Sequence, residues 1–380
     1  MAIIVAPAII YEPGTVVADD VFGDSDGTIA NTALAQTLIF TADPIAVYGD
    51  ADSLIDTARG GNDSFAIRGR NLLDSTKIVG DAETMLGSSQ GGDDQIAGRG
   101  NVIAYGDAGI MDDQTLGGND RIELTPFRSN VDAAGYGDAF TMLGQSQGGD
   151  DLMYGLRLAG DASSMSDGTR GGDDRLYSVS RGADLVGDAR EMSGGSAGGN
   201  DLLVTNHIES VLIGDGGVMA EGATGGDDTL RSTVGRSTLF GDAAEMSGSA
   251  TGGNDALHGG RFGETLVGDA GTMSGSASCG DDVLCGAAGN DNLWGDAQVF
   301  ESQGVRGADR FQFGRNSGRD TIHDFQVGID IIDVQPRGFT EFGQLTIVEV
   351  GGSSIVGFGG GNQVTVQGVV GLTAADFLFA

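Results

Sequence analysis

Apolar residues recur along this chain at intervals of 27 positions. Two leucine columns have this spacing: Leu185, Leu212, Leu239, Leu266 and Leu293 form one, and Leu230, Leu257 and Leu284 form the other. A third column contains Met85, Met111, Met142, Met165, Met192, Met219, Met246 and Met273, with Leu54 and Phe300 in register at its two ends. The segments around these positions are short and bounded by glycine, and none has the about 10 to 12 residues of helical period that a helix requires. The pattern therefore predicts short β-strands.

Self-similarity at a fixed period is typical of repeat proteins, in which each unit buries its apolar face against its neighbours. We therefore predict an all-β fold, a parallel β-solenoid (a β-roll or β-helix) of about ten 27-residue coils over residues 45–310. The three columns would stack inside the coils. We interpret the methionines as core residues, because a thioether is a flexible core filler and binds only soft metals.

Two polar motifs alternate between the apolar positions. The first is Gly-Asp-Ala, once Gly-Asp-Gly, and its aspartates are Asp50, Asp81, Asp107, Asp138, Asp161, Asp188, Asp215, Asp242, Asp269 and Asp296. The second is Gly-Gly-(Asp/Asn)-Asp, and its last aspartates are Asp63, Asp94, Asp120, Asp151, Asp174, Asp201, Asp228, Asp255, Asp282 and Asp309. Each second-motif aspartate follows the preceding first-motif aspartate by 13 residues. This constant offset indicates that the two motifs belong to one structural unit.

Stacked coils would place equivalent aspartates only about 5 Å apart, and such rows of carboxylates repel one another. Calcium takes about six to eight oxygen ligands from carboxylates and carbonyls, and glycine lets carbonyls turn toward an ion. Magnesium fits less well because it prefers a tight octahedron and keeps its waters. Zinc lacks ligands, since the chain has only three histidines and two cysteines. The pattern predicts several Ca²⁺ ions, roughly one per coil; the alternative is that these residues only form turns.

One nonapeptide resembles the repeat G-G-x-G-x-D-x-U-x of RTX, or hemolysin-type, calcium-binding proteins. It reads Gly286-Ala287-Ala288-Gly289-Asn290-Asp291-Asn292-Leu293-Trp294 and departs only at Ala287. The resemblance implies that the second-motif aspartates and Asp291 are the best metal ligands. The first-motif aspartates from Asp81 to Asp296 are weaker candidates, because that family position does not normally supply a side-chain ligand.

The family resemblance also bears on the coil. We interpret 27 residues as the family's 18-residue coil of two nonapeptides plus a nine-residue insertion; a triangular coil of three nonapeptides is the competing interpretation. At the positions equivalent to Asp291 the chain has Ala183, Ser210 and Ser237, and only Glu264 keeps a carboxylate. Ions are therefore expected along one edge of the solenoid.

Residues 311–380 alternate between apolar and polar positions and predict strands with glycine-rich turns. The segment from Asp320 to Asp333 resembles D-x-I-x-D-F-x-x-G-x-D-x-I-D, which follows the repeats in serralysin-type secreted proteins. Residues 372–380 resemble their uncleaved signal for type I secretion. The resemblance covers residues 45–380 and implies a β cap, export by type I secretion machinery, and an extracellular or cell-surface location. An ordinary β cap that seals the last coil is the alternative.

The N-terminal residues, the two cysteines and the net charge allow further predictions. Residues 1–44 are expected to cap the first coil or to dock on a partner chain. Cys279 and Cys285 either form a disulfide or remain two tolerated thiols. The net charge of −35 argues against nucleic acid as a partner, and the chain lacks the roughly 20 apolar residues of a membrane span.

About 44 residues precede the repeats, which is too few for a catalytic domain. The zinc-protease motif HExxH and the P-loop are absent. We therefore predict a non-enzymatic, secreted, calcium-binding structural protein of an extracellular matrix, surface layer or adhesion system, acting by self-association or by binding surface polysaccharide. The alternative is a polysaccharide lyase or epimerase, or its non-catalytic module, which the single lysine Lys77 and scattered arginines disfavour.

Overall fold

A computed structural model of the protein describes residues 9–11, 21–25, 27–40, 46–67, 75–126 and 133–380. The chain is an all-β parallel β-solenoid of about ten coils that lie about 27 residues apart in sequence, which confirms the predicted fold class. It divides into two compact units, Met1–Asn200 and Asp201–Ala380. In each unit the coils stack through three parallel sheets, called here sheets 1, 2 and 3, and a regular coil contributes one strand to each.

The first unit contains the following strands. Sheet 1 consists of Ile9–Tyr11, Thr37–Phe40, Ser64–Ile67, Gln95–Arg99, Arg121–Thr125, Leu152–Gly155 and Arg175–Ser178. Sheet 2 consists of Val21–Phe22, Ala46–Tyr48, Thr76–Val79, Val102–Tyr105, Ala134–Tyr136, Arg157–Ala159 and Asp184–Val186. Sheet 3 consists of Thr28–Ile29, Ala51–Leu54, Ala82–Met85, Ala108–Met111, Ala139–Met142, Ala162–Met165 and Ala189–Met192.

The second unit repeats this arrangement. Sheet 1 consists of Leu202–Thr205, Thr229–Ser232, Ala256–His258, Val283–Cys285, Arg310–Gln312, Ile331–Asp333 and Phe377–Leu378. Sheet 2 consists of Val211–Ile213, Thr238–Phe240, Thr265–Val267, Asn292–Trp294, Arg319–Ile322 and Asn362–Val366, followed by Ser353–Gly359 and Thr346–Val350, which pair antiparallel. Sheet 3 consists of Gly216–Met219, Ala243–Met246, Ala270–Met273 and Ala297–Phe300.

The three predicted apolar columns form the core of the coils. The column leucines of sheets 1 and 2, such as Leu230 and Leu239, are fully buried, and the methionines of sheet 3 are at most 1% exposed. The strand register pairs equivalent residues of neighbouring coils: Leu239 pairs with Leu266, and Met246 pairs with Met273. Stacking of apolar side chains from coil to coil is what allows a short strand to bury its apolar face.

The interpretation of the repeat as a two-nonapeptide coil with an insertion is wrong, and the three-strand coil is correct. The residues assigned to the insertion form sheet 3, where strands such as Ala243–Met246 bury their first and last side chains. Because a buried backbone must have its N–H and C=O groups paired, a segment that buries a methionine in every coil forms its own ladder with the coils beside it.

Both ends of the chain add strands to these sheets. In residues 1–44, described strands pair in parallel in all three sheets, for example Val21–Phe22 with Ala46–Tyr48. At the other end, Phe377–Leu378 pairs with Ile331–Asp333 in sheet 1. The described helical turns are Gln335–Arg337, Phe342–Gln344 and Ala374–Asp376. In the described part of the chain, no helix has the length and hydropathy that crossing a bilayer requires.

Candidate metal centre

Both motifs lie at turns of the coil, and their aspartates point inside. Every first-motif aspartate directly precedes a strand of sheet 3, and every second-motif aspartate directly precedes a strand of sheet 1. All ten first-motif aspartates are 0% exposed, and all ten second-motif aspartates are at most 3% exposed. Carboxylates are almost never buried this completely without a partner, so the partners of each oxygen decide what these rows can do.

The second-motif aspartates form a ladder within each unit. The main-chain N–H of one donates to Oδ1 of the equivalent aspartate in the next coil, as Asp94 does to Asp120 at 2.7 Å and Asp255 to Asp282 at 2.8 Å. Oδ2 is different. Among the described residues it has no hydrogen-bond donor in Asp63, Asp94, Asp120, Asp151, Asp255, Asp282 and Asp309.

The first-motif aspartates bind the second motif of the same coil. Each accepts the main-chain N–H of the glycine 11 residues later, as Asp138 does from Gly149 at 2.8 Å. This bond explains the constant offset between the motifs, because a change in spacing would break it. A second oxygen again lacks a donor within the described ranges in Asp50, Asp81, Asp138, Asp161, Asp242 and Asp269. At these six aspartates turn formation thus accounts for one carboxylate oxygen and leaves the other without a described donor.

The first-motif glycine lies where a main-chain carbonyl oxygen and Oδ2 of a second-motif aspartate approach each other. A Cβ on Gly241 would lie 1.7 Å from the carbonyl oxygen of Gly268 and 2.1 Å from Oδ2 of Asp255. In the first unit, the Cβ position of Gly80 lies 1.6 Å from the Gly106 oxygen and 1.9 Å from Oδ2 of Asp94. Only glycine fits at these two positions, and at each of them a carboxylate oxygen and a carbonyl oxygen lie close together.

The sequence analysis ranked the first-motif aspartates as weaker ligands, yet the two rows lie together. Asp242 directly follows the glycine that is in contact with Asp255, and its charge adds to the raised pKa of Asp255. Ligand candidates from both motifs are thus adjacent in each coil.

Burial and mutual repulsion disturb the ionisation of these groups. Burial, followed by the charge of Asp81, raises the pKa of Asp50 to about 10, and burial raises the pKa of Asp63 to about 8. Burial raises the pKa of Asp242 to about 7 and that of Asp161 to about 6. Without a counter-charge, the ionised form of each row is therefore unfavourable.

A smaller cluster lies at the turn into sheet 2, where the chain was expected to have few ligands. Asp291 Oδ1 accepts the N–H of Glu264 at 2.8 Å, and Asp320 Oδ1 accepts the N–H of Asp291 at 3.1 Å. Oδ2 of Asp291 lacks a donor among the described residues, and burial raises the pKa of Glu264 to about 9. Ala183, Ser210 and Ser237 occupy the equivalent positions, so this turn has a short acidic cluster at the end of the repeats.

Sequence analysis did not include Asp320, Asp324 and Asp330 among the site residues. Asp330 extends the second-motif ladder by accepting the N–H of Asp309 at 3.1 Å, and Asp324 accepts the N–H groups of Gly295 and Asp296. The step from Asp309 to Asp330 is 21 residues rather than 27, which hid these residues from a search by period. The serralysin-like segment contained the signal, since all three aspartates belong to it.

The residues present fit a hard divalent cation. The donor set is made of carboxylate and carbonyl oxygens, which calcium prefers, and the buried oxygens without donors supply negative charge. Cys279 and Cys285 are both free thiols. In comparisons with known proteins, no family model and no curated protein matches this chain. Its membership of the RTX family therefore stays a prediction from the motifs.

Proposed function

We propose that the chain is a secreted calcium-binding structural protein whose coils fold around Ca²⁺. The observation that carries this proposal is the row of buried carboxylate oxygens that accept no hydrogen bond from the described residues, of which Oδ2 of Asp94 and Asp255 lie beside a glycine carbonyl. A buried ionised carboxylate without a partner is strongly unfavourable. A divalent cation between coils removes the repulsion and supplies the missing partner.

Both motifs supply ligands in this proposal. The candidate ligands of one coil are Oδ2 of a second-motif aspartate such as Asp255, the carbonyl oxygen of Gly268, and Oδ2 of Asp242. Roughly one ion per coil would follow from the repeat. Calcium fits this set better than magnesium because it accepts more oxygens in less regular geometry.

Calcium-dependent folding would keep the chain unfolded before export and fold it afterwards. Free calcium is scarce in the cytosol, where the acidic chain would stay loosely folded and competent for type I secretion. Outside the cell, the free energy of calcium binding becomes free energy of folding. The segment from Asp320 to Asp333 and residues 372–380 resemble the corresponding regions of type I substrates, which supports this route.

The biological role proposed is structural. Repeats make up most of the given chain, and the folded solenoid itself would be the functional product in an extracellular matrix, a surface layer or adhesion. Self-association or binding of surface polysaccharide would provide the contacts.

The test is calcium titration of the purified chain at neutral pH, followed by far-UV circular dichroism and sedimentation velocity, with Mg²⁺ as the control ion. We expect β structure and a compact or associated species in Ca²⁺, and an expanded chain in chelator or in Mg²⁺. Full β structure in chelator at neutral pH would refute calcium-dependent folding. A compact monomer under both conditions would count against the structural role.

A further inference from the structure

One coil carries a cysteine at a position where the preceding coils have glycine and the following coil has Arg306. Cys279 replaces the first glycine of the second motif. At the equivalent Gly252, a Cβ would lie 2.3 Å from Oδ2 of Asp242 and 2.5 Å from Oδ1 of Asp269. A side chain at this position therefore enters the space between the first-motif carboxylates of two successive coils.

The thiol of Cys279 lies among other ligand atoms. Its sulfur and one carboxylate oxygen each of Asp269 and Asp296 all lie within 4.8 Å of one another. The thioether sulfur of Met273 is 3.4 Å from the thiol sulfur and is fully buried. Cys279 itself is partly exposed, which gives the cluster access from solvent.

The two carboxylates differ in what they already bind. Oδ2 of Asp296 accepts hydrogen bonds from Arg306 at 2.7 Å and Gln326 at 2.8 Å, so this carboxylate is fixed in place. Asp269 is 0% exposed and accepts the N–H of Gly280 through Oδ1. Its Oδ2 has no donor in the described part of the chain, so the cluster contains a buried oxygen that needs a partner.

The donor set here is chemically unlike that of the regular coils. Calcium binds oxygen, whereas a thiolate selects softer ions such as Zn²⁺, and zinc also accepts carboxylate oxygens. We propose that Cys279, Asp269 and Asp296 bind one Zn²⁺, with the thioether of Met273 as a weak additional donor. The thiol proton passes to solvent when the metal–sulfur bond forms. One cysteine thereby converts a single coil from an oxygen site to a site of mixed sulfur and oxygen donors.

This inference goes beyond the proposed calcium function and does not require it. Zinc binding at Cys279 without calcium binding elsewhere would refute only the calcium proposal. Calcium-dependent folding without a zinc site would refute only this one.

The test uses the full chain in excess Ca²⁺, so that oxygen-only sites are filled. Zn²⁺ affinity is measured by competition with a chromophoric chelator, and Cd²⁺ serves as a spectroscopic probe because a cadmium–thiolate bond absorbs in the ultraviolet. We expect one equivalent of Zn²⁺ and a charge-transfer band with Cd²⁺. In Cys279→Gly, which restores the residue of the motif, the band disappears. Affinity falls by more than about 100-fold, since even loss of a residue that supports a ligand costs about 10- to 100-fold.

Cys285→Ser is the matched control, because it removes the other thiol of the same coil and should leave the band and the affinity unchanged. A second readout needs no variant: Zn²⁺ should protect Cys279, but not Cys285, from alkylation as mapped by peptide mass spectrometry. No cadmium band in the wild type, an equal band in Cys279→Gly, a band lost only in Cys285→Ser, or equal alkylation of Cys279 with and without Zn²⁺ would each overturn the zinc site.

Discussion

The repeats of the second unit and the region that follows them both bury aspartate carboxylates. The two regions differ in the hydrogen-bond donors that they supply to these carboxylates. In residues 310–380, Oδ2 of the buried Asp333 accepts hydrogen bonds from Arg310 and Gln312, both at 2.9 Å. In residues 201–309, Oδ2 of Asp255 and of Asp282 accepts none from the described residues, although these carboxylates are equally buried.

The difference shows that burial alone does not determine how a carboxylate is compensated. At Asp333 the C-terminal region supplies cationic and amide donors of its own, whereas glycine surrounds repeat carboxylates such as Asp255. No side chain can replace the glycine at Gly241, because its Cβ would lie 1.7 Å from a carbonyl oxygen. At such repeat carboxylates compensation is therefore left to something outside the chain, and a cation small enough to fit between oxygens is the candidate.

The largest effect that we expect is the change in stability of the metal-free chain with pH. Burial raises the pKa of Asp161 to about 6, of Asp242 to about 7 and of Asp63 to about 8, above the ordinary value of 3.8. The folded metal-free state therefore binds more protons than the unfolded state in this range. Its stability is fully present below the ordinary value and is lost as pH rises through the folded values. In chelator, we expect the urea midpoint measured by circular dichroism to decrease as pH rises from 5, and the β structure to be lost near neutral pH even without urea.

Excess calcium should reverse that trend, because protons compete with the metal for the same oxygens. The control is therefore the same series of urea titrations in Ca²⁺, where the midpoint should rise as pH rises over this range. A midpoint in chelator that is constant or rises with pH would show that the buried rows do not control stability.

A smaller effect is expected from adding one methyl group to each region. Gly241→Ala places a Cβ against the Gly268 oxygen and Asp255, which must move apart, and the cost of such overpacking is about 1–3 kcal/mol. Gly343→Ala is the matched control, because no heavy atom lies within 4 Å of its Cβ position; its effect should stay within about 0.5 kcal/mol. Urea midpoints in Ca²⁺ measure both, and equal midpoints for the two variants would contradict the crowding argument.

The period of the sequence was enough to predict the solenoid and its core, because residues such as Leu239 and Met246 recur in every coil and only stacking explains them. It was not enough to predict sheet 3. The segment around Met246 is short, and glycine-rich sequence on both sides of it is equally typical of an insertion. The contacts of Asp330 were missed for a different reason: its spacing departs from the period, while its backbone partner keeps the ladder geometry. Pairing of the coils, rather than the count of residues between motifs, determines which carboxylates meet.

Asp255→Asn gives the most direct test, because the sign of its effect on stability depends on calcium. Asp255→Asn keeps an oxygen that can accept the N–H of Asp228, now 2.7 Å from Oδ1, and removes one negative charge. In Ca²⁺ the variant loses a charged ligand, and the free energy of unfolding should fall by about 1–3 kcal/mol. In chelator the same variant reduces repulsion with Asp242 and Asp282, whose charges help raise the pKa of Asp255, and stability should rise.

Asp333→Asn is the control: it weakens the bonds from Arg310, so it should destabilise by a similar amount with and without Ca²⁺. If urea midpoints showed Asp255→Asn to be equally destabilising in both conditions, the repeat carboxylates would be compensated within the chain, as Asp333 is, and the contrast between the two regions would not hold.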